Sequence, residues 1–174
     1  MVVKGLTFKK FITSARIQKT VDTLAAQIST DYKGKVPLFL PILNGSFIFG
    51  ADLVKEVTID CKVSFVKVSS YSGTQSSGQL KTLIGHDESV FGQDIIIVED
   101  IVDTGRTLSR LMDLLKARNP RSLEICALLH KHIATELTYP TRFVGFDAPH
   151  EFLVGYGLDH AENFRHLPYI ASLQ

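Results

Sequence analysis

Three carboxylates, Glu99, Asp100 and Asp103, stand within five residues of one another and lead directly into Thr104-Gly105-Arg106-Thr107. Ionised carboxylates only accept hydrogen bonds, so they hold hydroxyl groups or a hard cation such as Mg²⁺ and cannot hold a phosphate. Threonine hydroxyls and the backbone amides around a glycine have the opposite preference. They work best where a helix begins, because its first N–H groups lack partners and its dipole favours an anion. One loop with both sets can grip a sugar phosphate at both ends. For an acidic pair alone, a plain strand-to-helix turn with solvated acids is the commoner arrangement, but three acids, two threonines and a glycine in nine residues favour a site.

The surrounding residues show how such a loop is carried. Ile95 to Val98 are four consecutive apolar residues and read as a strand buried on both faces. The two acids follow at its end, and the loop from Ile101 to Gly105 supplies helix-start residues. Apolar residues at 108, 111, 112 and 115 then have helical spacing. The pattern occurs twice. Val36 to Leu43 reads as a strand made irregular at both ends by Pro37 and Pro41, Asn44-Gly45-Ser46 as a tight loop, and the next stretch as a helix carrying Phe47, Ile48, Ala51, Leu53 and Val54. A second anion site is therefore expected at that loop.

Elsewhere, Ile17, Val21, Leu24, Ala25 and Ile28 predict a helix from Ser14 to about Lys33-Gly34, capped by Thr13 or Ser14. Cys61 to Tyr71 predicts one long strand, with Gln79 to Gly85 as its partner. Between them, Ser70 to Gly78 is too soft to pack, either a hairpin tip or a lid that excludes water. Further strands are expected at Ser122 to Leu129, Arg142 to Phe146 and Phe152 to Tyr156, and residues 1 to 12 could form an edge strand or an arm. The whole predicts an α/β fold, a largely parallel twisted sheet flanked by helices, in one domain over residues 1–174. Ligands of such sheets lie beyond the C-terminal strand ends, so the loops at Leu43/Asn44, Glu99/Asp100 and His130/Lys131 should converge.

A chain of 174 residues with 45% hydrophobic residues and a formal charge of +1 can bury a substantial core and makes no general case for binding nucleic acid. Cys61 and Cys126 lie in apolar runs without C-x-x-C spacing, as expected of thiols in a reducing cytoplasm rather than a zinc site. No apolar run approaches the roughly 20 residues of a membrane span. The histidines at 86, 130, 132, 150, 160 and 166 have no metal-ligand spacing. G-x-x-x-x-G-K-[ST] is absent, which excludes a P-loop hydrolase, and Ile-Val-Glu-Asp opens receiver domains only near their N-terminus.

The segment from Asp94 to Leu115 resembles the signature of type I phosphoribosyltransferases, in which two acids follow a hydrophobic strand and Asp-Thr-Gly-Arg-Thr follows them. That resemblance implies binding of 5-phosphoribosyl 1-pyrophosphate (PRPP). From about Tyr32 to Pro168 the chain is similar to the hypoxanthine-guanine branch of the family. The matching pieces are Leu43 to Ser46, Ser70-Tyr71, Leu128-Leu129-x-Lys131, Phe143 to Phe146, and Phe152 to Asp159 with Phe164-Arg165. It implies purine salvage in the cytoplasm, joining hypoxanthine or guanine to PRPP with Mg²⁺, by a homodimer or homotetramer with a small hood built from the terminal segments.

The chemistry of that reaction asks for cations at the departing pyrophosphate and carboxylates under the sugar. By resemblance, Glu99 and Asp100 meet the ribose hydroxyls directly or through Mg²⁺, and Asp159 is a second metal contact. Thr104, Gly105, Arg106 and Thr107 cradle the 5-phosphate, Asn44, Gly45 and Arg165 face pyrophosphate, and Ser70 and Tyr71 belong to the lid. Lys131 reads the purine, because an ammonium has only donors and can meet a 6-oxo group but not the amino group of adenine. Phe152 stacks on the base, while Leu153 offers backbone atoms to its edge. Asp103 is the expected general base. The resemblance also implies a cis peptide at Leu43-Asn44, where Asn44 replaces the basic residue common in the family. A regulator on the same fold that binds PRPP and acts on RNA is the alternative; it would need a basic face.

Overall fold

The structure, a computed structural model, describes residues 2–3, 6–68, 90–131 and 136–174. The expected lid, with Ser70 and Tyr71, and the expected strand from Gln79 to Gly85 lie outside the described residues.

The main sheet is all parallel. It contains β3 (Leu38–Leu43), β4 (Lys62–Val63), β5 (Val66–Lys67), β6 (Asp94–Val102), β7 (Ser122–His130) and β8 (Phe143–Asp147), in the order β4-β3-β6-β7-β8 with β5 also on β3. Strand alternation explains why its centre reads as an unbroken apolar run. Ile96 and Val98 of β6 join Phe39 in the core beneath helices α1 (Ser14–Asp31) and α2 (Phe47–Glu56). Ile95 and Ile97 join Leu38 and Leu40 beneath α3 (Arg106–Lys116) on the other face. Both faces are covered, so both parities must be apolar.

The chain ends build a second, antiparallel sheet, the hood. It has the order β1-β2-β10-β9, from β1 (Val2–Val3), β2 (Leu6–Ile12), β10 (Ile170–Leu173) and β9 (Leu153–Val154). Residues 6–12 are thus an interior hood strand rather than a free arm. The helix expected from Ser14 is present, with the Thr13 hydroxyl accepting from the Arg16 amide at 3.3 Å. Of the residues expected to mark α2, Leu53 is buried but Phe47 and Ala51 are exposed, and Phe49 is buried instead.

The strand expected over Phe152 to Tyr156 is only Leu153–Val154, because the chain enters left-handed backbone at Gly155. Two further strands depart from expectation for physical reasons. The stretch from Cys61 is not one strand but two short ones, interrupted at Ser64 and Phe65. Leu38 pairs with Lys62 and Ile42 with Val66, so the register is unchanged across the gap. Ser64 donates to the Phe39 carbonyl, which puts Phe39, and two residues on Pro41, on that side of β3. Pro41 brings no N–H to the ladder, and the gap lies opposite it. The second departure is β6, which does not stop before Glu99 but runs to Val102. β3 pairs with it only as far as Val98, whereas β7 continues through Val102, so the two acids are held in a ladder with one open side.

α3 provides a direct test of this layering. Leu111 is fully buried against the sheet and Leu114, on the same helix, is 46% exposed. Leu111→Ala should cost about 3 kcal/mol in denaturant unfolding, and Leu114→Ala less than about 0.5 kcal/mol.

Candidate active site

Strand β6 delivers the acids. Alternation sends Glu99 towards the α3 face, with Ile95 and Ile97, and Asp100 towards the α1/α2 face, with Ile96 and Val98. Asp100 is 9% exposed. The backbone of Gly45 lies directly against its carboxylate, where a methyl group would overlap it. Burial pushes the Asp100 carboxyl up to about 6, with the Ile101 amide and Arg165 acting against that rise and Asp159 adding to it. Glu99 is raised well above the usual carboxylate range by burial and by Asp100, and its Oε2 is buried without a partner.

The loop after β6 is shorter than expected, Asp103 to Gly105. Gly105 occupies the N-cap of α3 in the left-handed region (φ 78°) and brings no side chain of its own; the hydroxyl of Thr104, one residue earlier, accepts from the Arg106 amide at 3.5 Å. The first turn of α3 therefore presents backbone amides without intrahelical partners. Thr107 is exposed beside them. The Arg106 side chain turns away from the loop and forks Glu136, with Nε donating to Oε2 at 2.9 Å and NH2 to Oε1 at 2.7 Å. Glu136 also donates its amide to the Thr104 carbonyl, and Leu137 packs under Gly105. No sequence pattern marked Glu136, which lies 30 residues from its partner.

Across the strand ends, Lys131 Nζ stands 3.4 Å from Asp103 Oδ1; the lysine side chain is 13% exposed and the aspartate 63%. The Lys131 amide donates to the Val102 carbonyl, tying the β7 end to the β6 end.

The hood brings the remaining candidates. Phe152 is half-exposed and meets the His160 ring edge-on at 5.5 Å. Leu173 donates to the Phe152 carbonyl, while Leu153 is opposite Ser172. In an antiparallel ladder adjacent residues alternate sides, so the N–H and C=O of Leu153 point away from β10, along the outer edge of the hood sheet. Arg165 donates from NH1 to the Gly157 carbonyl at 2.7 Å and pairs through NH2 with Asp159 at 2.8 Å. The other Asp159 oxygen accepts from the Glu162 amide. Gly157 lies on the Gly45 carbonyl with no room for a side chain, at φ 101°. The Leu43–Asn44 peptide is cis, with Asn44 exposed. Thus the loops after β3, β6 and β7 converge with the hood turn. Arg106 and Asp159 have side chains committed to protein partners.

No three His, Cys, Asp or Glu residues form a ready metal cage among the described residues. The donors nevertheless suit Mg²⁺, which is usually held by one or two carboxylates together with substrate phosphates. The unpartnered Oε2 of Glu99 and the desolvated Asp100 form the anionic pair such an ion would neutralise.

The general model of the phosphoribosyl transferase domain matches residues 12–161. The chain belongs to the phosphoribosyltransferase family. Among its relatives, a hypoxanthine phosphoribosyltransferase of Escherichia coli strain K12 is 43% identical over 170 residues, covering 96% of each chain. Of solved structures, a hypoxanthine-guanine phosphoribosyltransferase from Bacillus anthracis is similar with a TM-score of 0.87 at 38% identity, covering 95% of this chain and 98% of that one. A hypoxanthine phosphoribosyltransferase from Staphylococcus aureus gives 0.88 at 39%, covering 95% and 91%.

The raised acids make a stability prediction. A carboxyl whose folded pKa exceeds its unfolded one stabilises the fold when protonated, and that contribution is lost as pH rises through the folded value. For Asp100 the window runs from 3.8 to about 6. Asp100→Asn should therefore gain stability relative to the parent as pH rises from about 4 to 7, reaching about 2 kcal/mol in the unliganded protein. Thermal unfolding of both proteins across that range checks it.

Proposed function

We propose that the protein is a purine-salvage phosphoribosyltransferase that moves the 5-phosphoribosyl group of PRPP to hypoxanthine or guanine, releasing pyrophosphate. The observation that carries this reading is the 3.4 Å pair of Asp103 and Lys131, which sets a proton acceptor beside a donor-only cation at two neighbouring strand ends. A 6-oxopurine presents both matching groups on one edge, an acidic ring N–H and an oxygen. In the reaction the anomeric C–O bond to pyrophosphate breaks, a C–N bond forms to the imidazole nitrogen remote from the 6-oxygen, and the proton on the other imidazole nitrogen, beside that oxygen, passes to Asp103.

Each remaining residue has a role in this scheme. The amides of Thr104 to Thr107 and the two threonine hydroxyls hold the 5-phosphate; Arg106 contributes its backbone. Glu99 reaches the ribose from the α3 face and Asp100 from the other. These two acids, with Asp159 alongside, are the residues that would hold Mg²⁺, which when bound neutralises charge on PRPP and on the leaving pyrophosphate. Asn44 and Gly45 offer backbone amides to pyrophosphate, with Arg165 supplying positive charge nearby. Phe152 stacks on the base and the outward backbone of Leu153 meets its edge. The RNA-binding alternative is not favoured by the relatives found.

We place the protein in the cytoplasm on its two free cysteines; no helix among the described residues is long and apolar enough to cross a membrane. A homodimer or homotetramer is the assembly we propose. The exposed Val63 and Phe65 beside the edge strands offer apolar surface for it.

Incubation with PRPP, Mg²⁺ and each purine base should give nucleotide from hypoxanthine or guanine, and adenine should be a poor substrate; efficient use of adenine would sink the assignment. Lys131→Ala should weaken base binding more than PRPP binding. Asp103→Asn should slow single-turnover chemistry roughly 100- to 10,000-fold with stability little changed, since Asp103 caps no helix. A rate within about threefold of the parent across the working pH range would remove Asp103 as the base.

A further inference from the structure

Gly155, Tyr156 and Gly157 have φ of 97°, 52° and 101°, three successive residues in left-handed backbone. Glycine adopts it freely, whereas a tyrosine there needs its surroundings to hold it. Its ring is buried, 6% exposed, and its hydroxyl donates to Asp52 Oδ2 at 2.7 Å. The other oxygen of Asp52 pairs with Lys55 at 2.7 Å. Burial and the Asp52 carboxylate push the Tyr156 phenol well up, so it remains a donor at any working pH.

The two ends of this bond belong to different halves of the site. Asp52 lies on α2, the helix that begins directly after the Asn44-Gly45-Ser46 loop. On the hood side, Gly157 rests on the Gly45 carbonyl and exchanges hydrogen bonds with Arg165, its amide donating to the Arg165 carbonyl at 2.9 Å and its carbonyl accepting from the guanidinium at 2.7 Å. Arg165 in turn holds Asp159. Neither Tyr156 nor Asp52 is among the groups assigned to substrate.

We infer that Tyr156 and Asp52 are positioning residues whose hydrogen bond sets the spacing between the pyrophosphate loop at the head of α2 and the Asp159–Arg165 pair on the hood. This rests on the PRPP-transfer reading above and deepens it. The purine end is anchored otherwise: Phe152 and Leu153 by the β9–β10 ladder, Lys131 by the end of β7. Loss of the tether therefore acts on one substrate and spares the other.

The test uses Tyr156→Phe, which removes only the hydroxyl, Asp52→Ala, which removes the acceptor, and Asp52→Asn, which keeps one. For each protein, kcat and the KM values for PRPP and hypoxanthine are measured with Mg²⁺, and inorganic pyrophosphate binding is followed by calorimetry. Assays run below the lowest thermal midpoint of the set, so every protein compared is folded. Tyr156→Phe and Asp52→Ala should each raise the PRPP KM and the pyrophosphate Kd roughly fivefold to twentyfold, less than the full worth of a hydrogen bond to a charged group because the bond acts on PRPP only through position. The hypoxanthine KM should stay within about twofold, and Asp52→Asn within about twofold of the parent on all readouts. The double variant Tyr156→Phe/Asp52→Ala should be no worse than either single one. An unchanged PRPP KM, equal rises in both KM values, or Asp52→Asn behaving as Asp52→Ala would each overturn the positioning role. A parent that forms no nucleotide would overturn the PRPP-transfer reading instead.

Discussion

Two neighbouring carboxylates held at the end of a buried strand are the constraint to which the rest of the site answers. Burying an anion is costly unless partners replace its water. Asp100 finds the Ile101 amide and the nearby charge of Arg165, yet its carboxyl remains raised; Glu99 is raised further and keeps an oxygen without a partner. Such a pair is tolerable only in a framework with stability to spare. The framework here is a strand whose four preceding residues, Ile95 to Val98, are fully buried and which is flanked on both faces by helices.

The close neighbours follow from that burial. The chain can cover Asp100 only by bringing backbone against it, and Gly45 does so where any side chain would collide. Gly157 then approaches the Gly45 carbonyl, and Gly105 turns the chain into α3 over Leu137. In these places glycine is required by contact or by left-handed backbone, and the result is that three loops and the hood reach one end of the sheet. Electrostatic preorganisation of this kind is built before any ligand arrives.

Much of this was legible in the sequence because it depends on local pattern. Continuous apolar runs marked β6 and β7, helical spacing marked α1 and α3, and the run of acids, threonines and glycine marked the loop between β6 and α3. What local pattern could not supply was partnership. Whether β6 ends at Val98 or Val102 is decided by β7 continuing to pair after β3 has left. Whether residues 61–68 form one strand or two is decided by Pro41, more than 20 positions away in sequence. The fork of Arg106 onto Glu136 redirects a side chain that motif resemblance alone assigns to PRPP.

The groups proposed to touch substrate fall at both exposed and buried positions. Asp103 and Phe152 are open to solvent, at 63% and 46%, whereas Lys131, Leu153 and Tyr156 are largely buried. An exposed recognition group gains little precision from its own packing; it inherits precision from the ladder or tether beneath it. Here those supports differ in origin. Asp103 and Lys131 stand on adjacent strands of the parallel sheet. Phe152 stands on an antiparallel sheet made from the two ends of the chain, which meets the main sheet's site through the turn around Tyr156. In the proposed scheme Lys131 with Phe152, and Gly45 with Arg165, each take one group from either framework, and the Tyr156–Asp52 bond joins the two on the Gly45–Arg165 side.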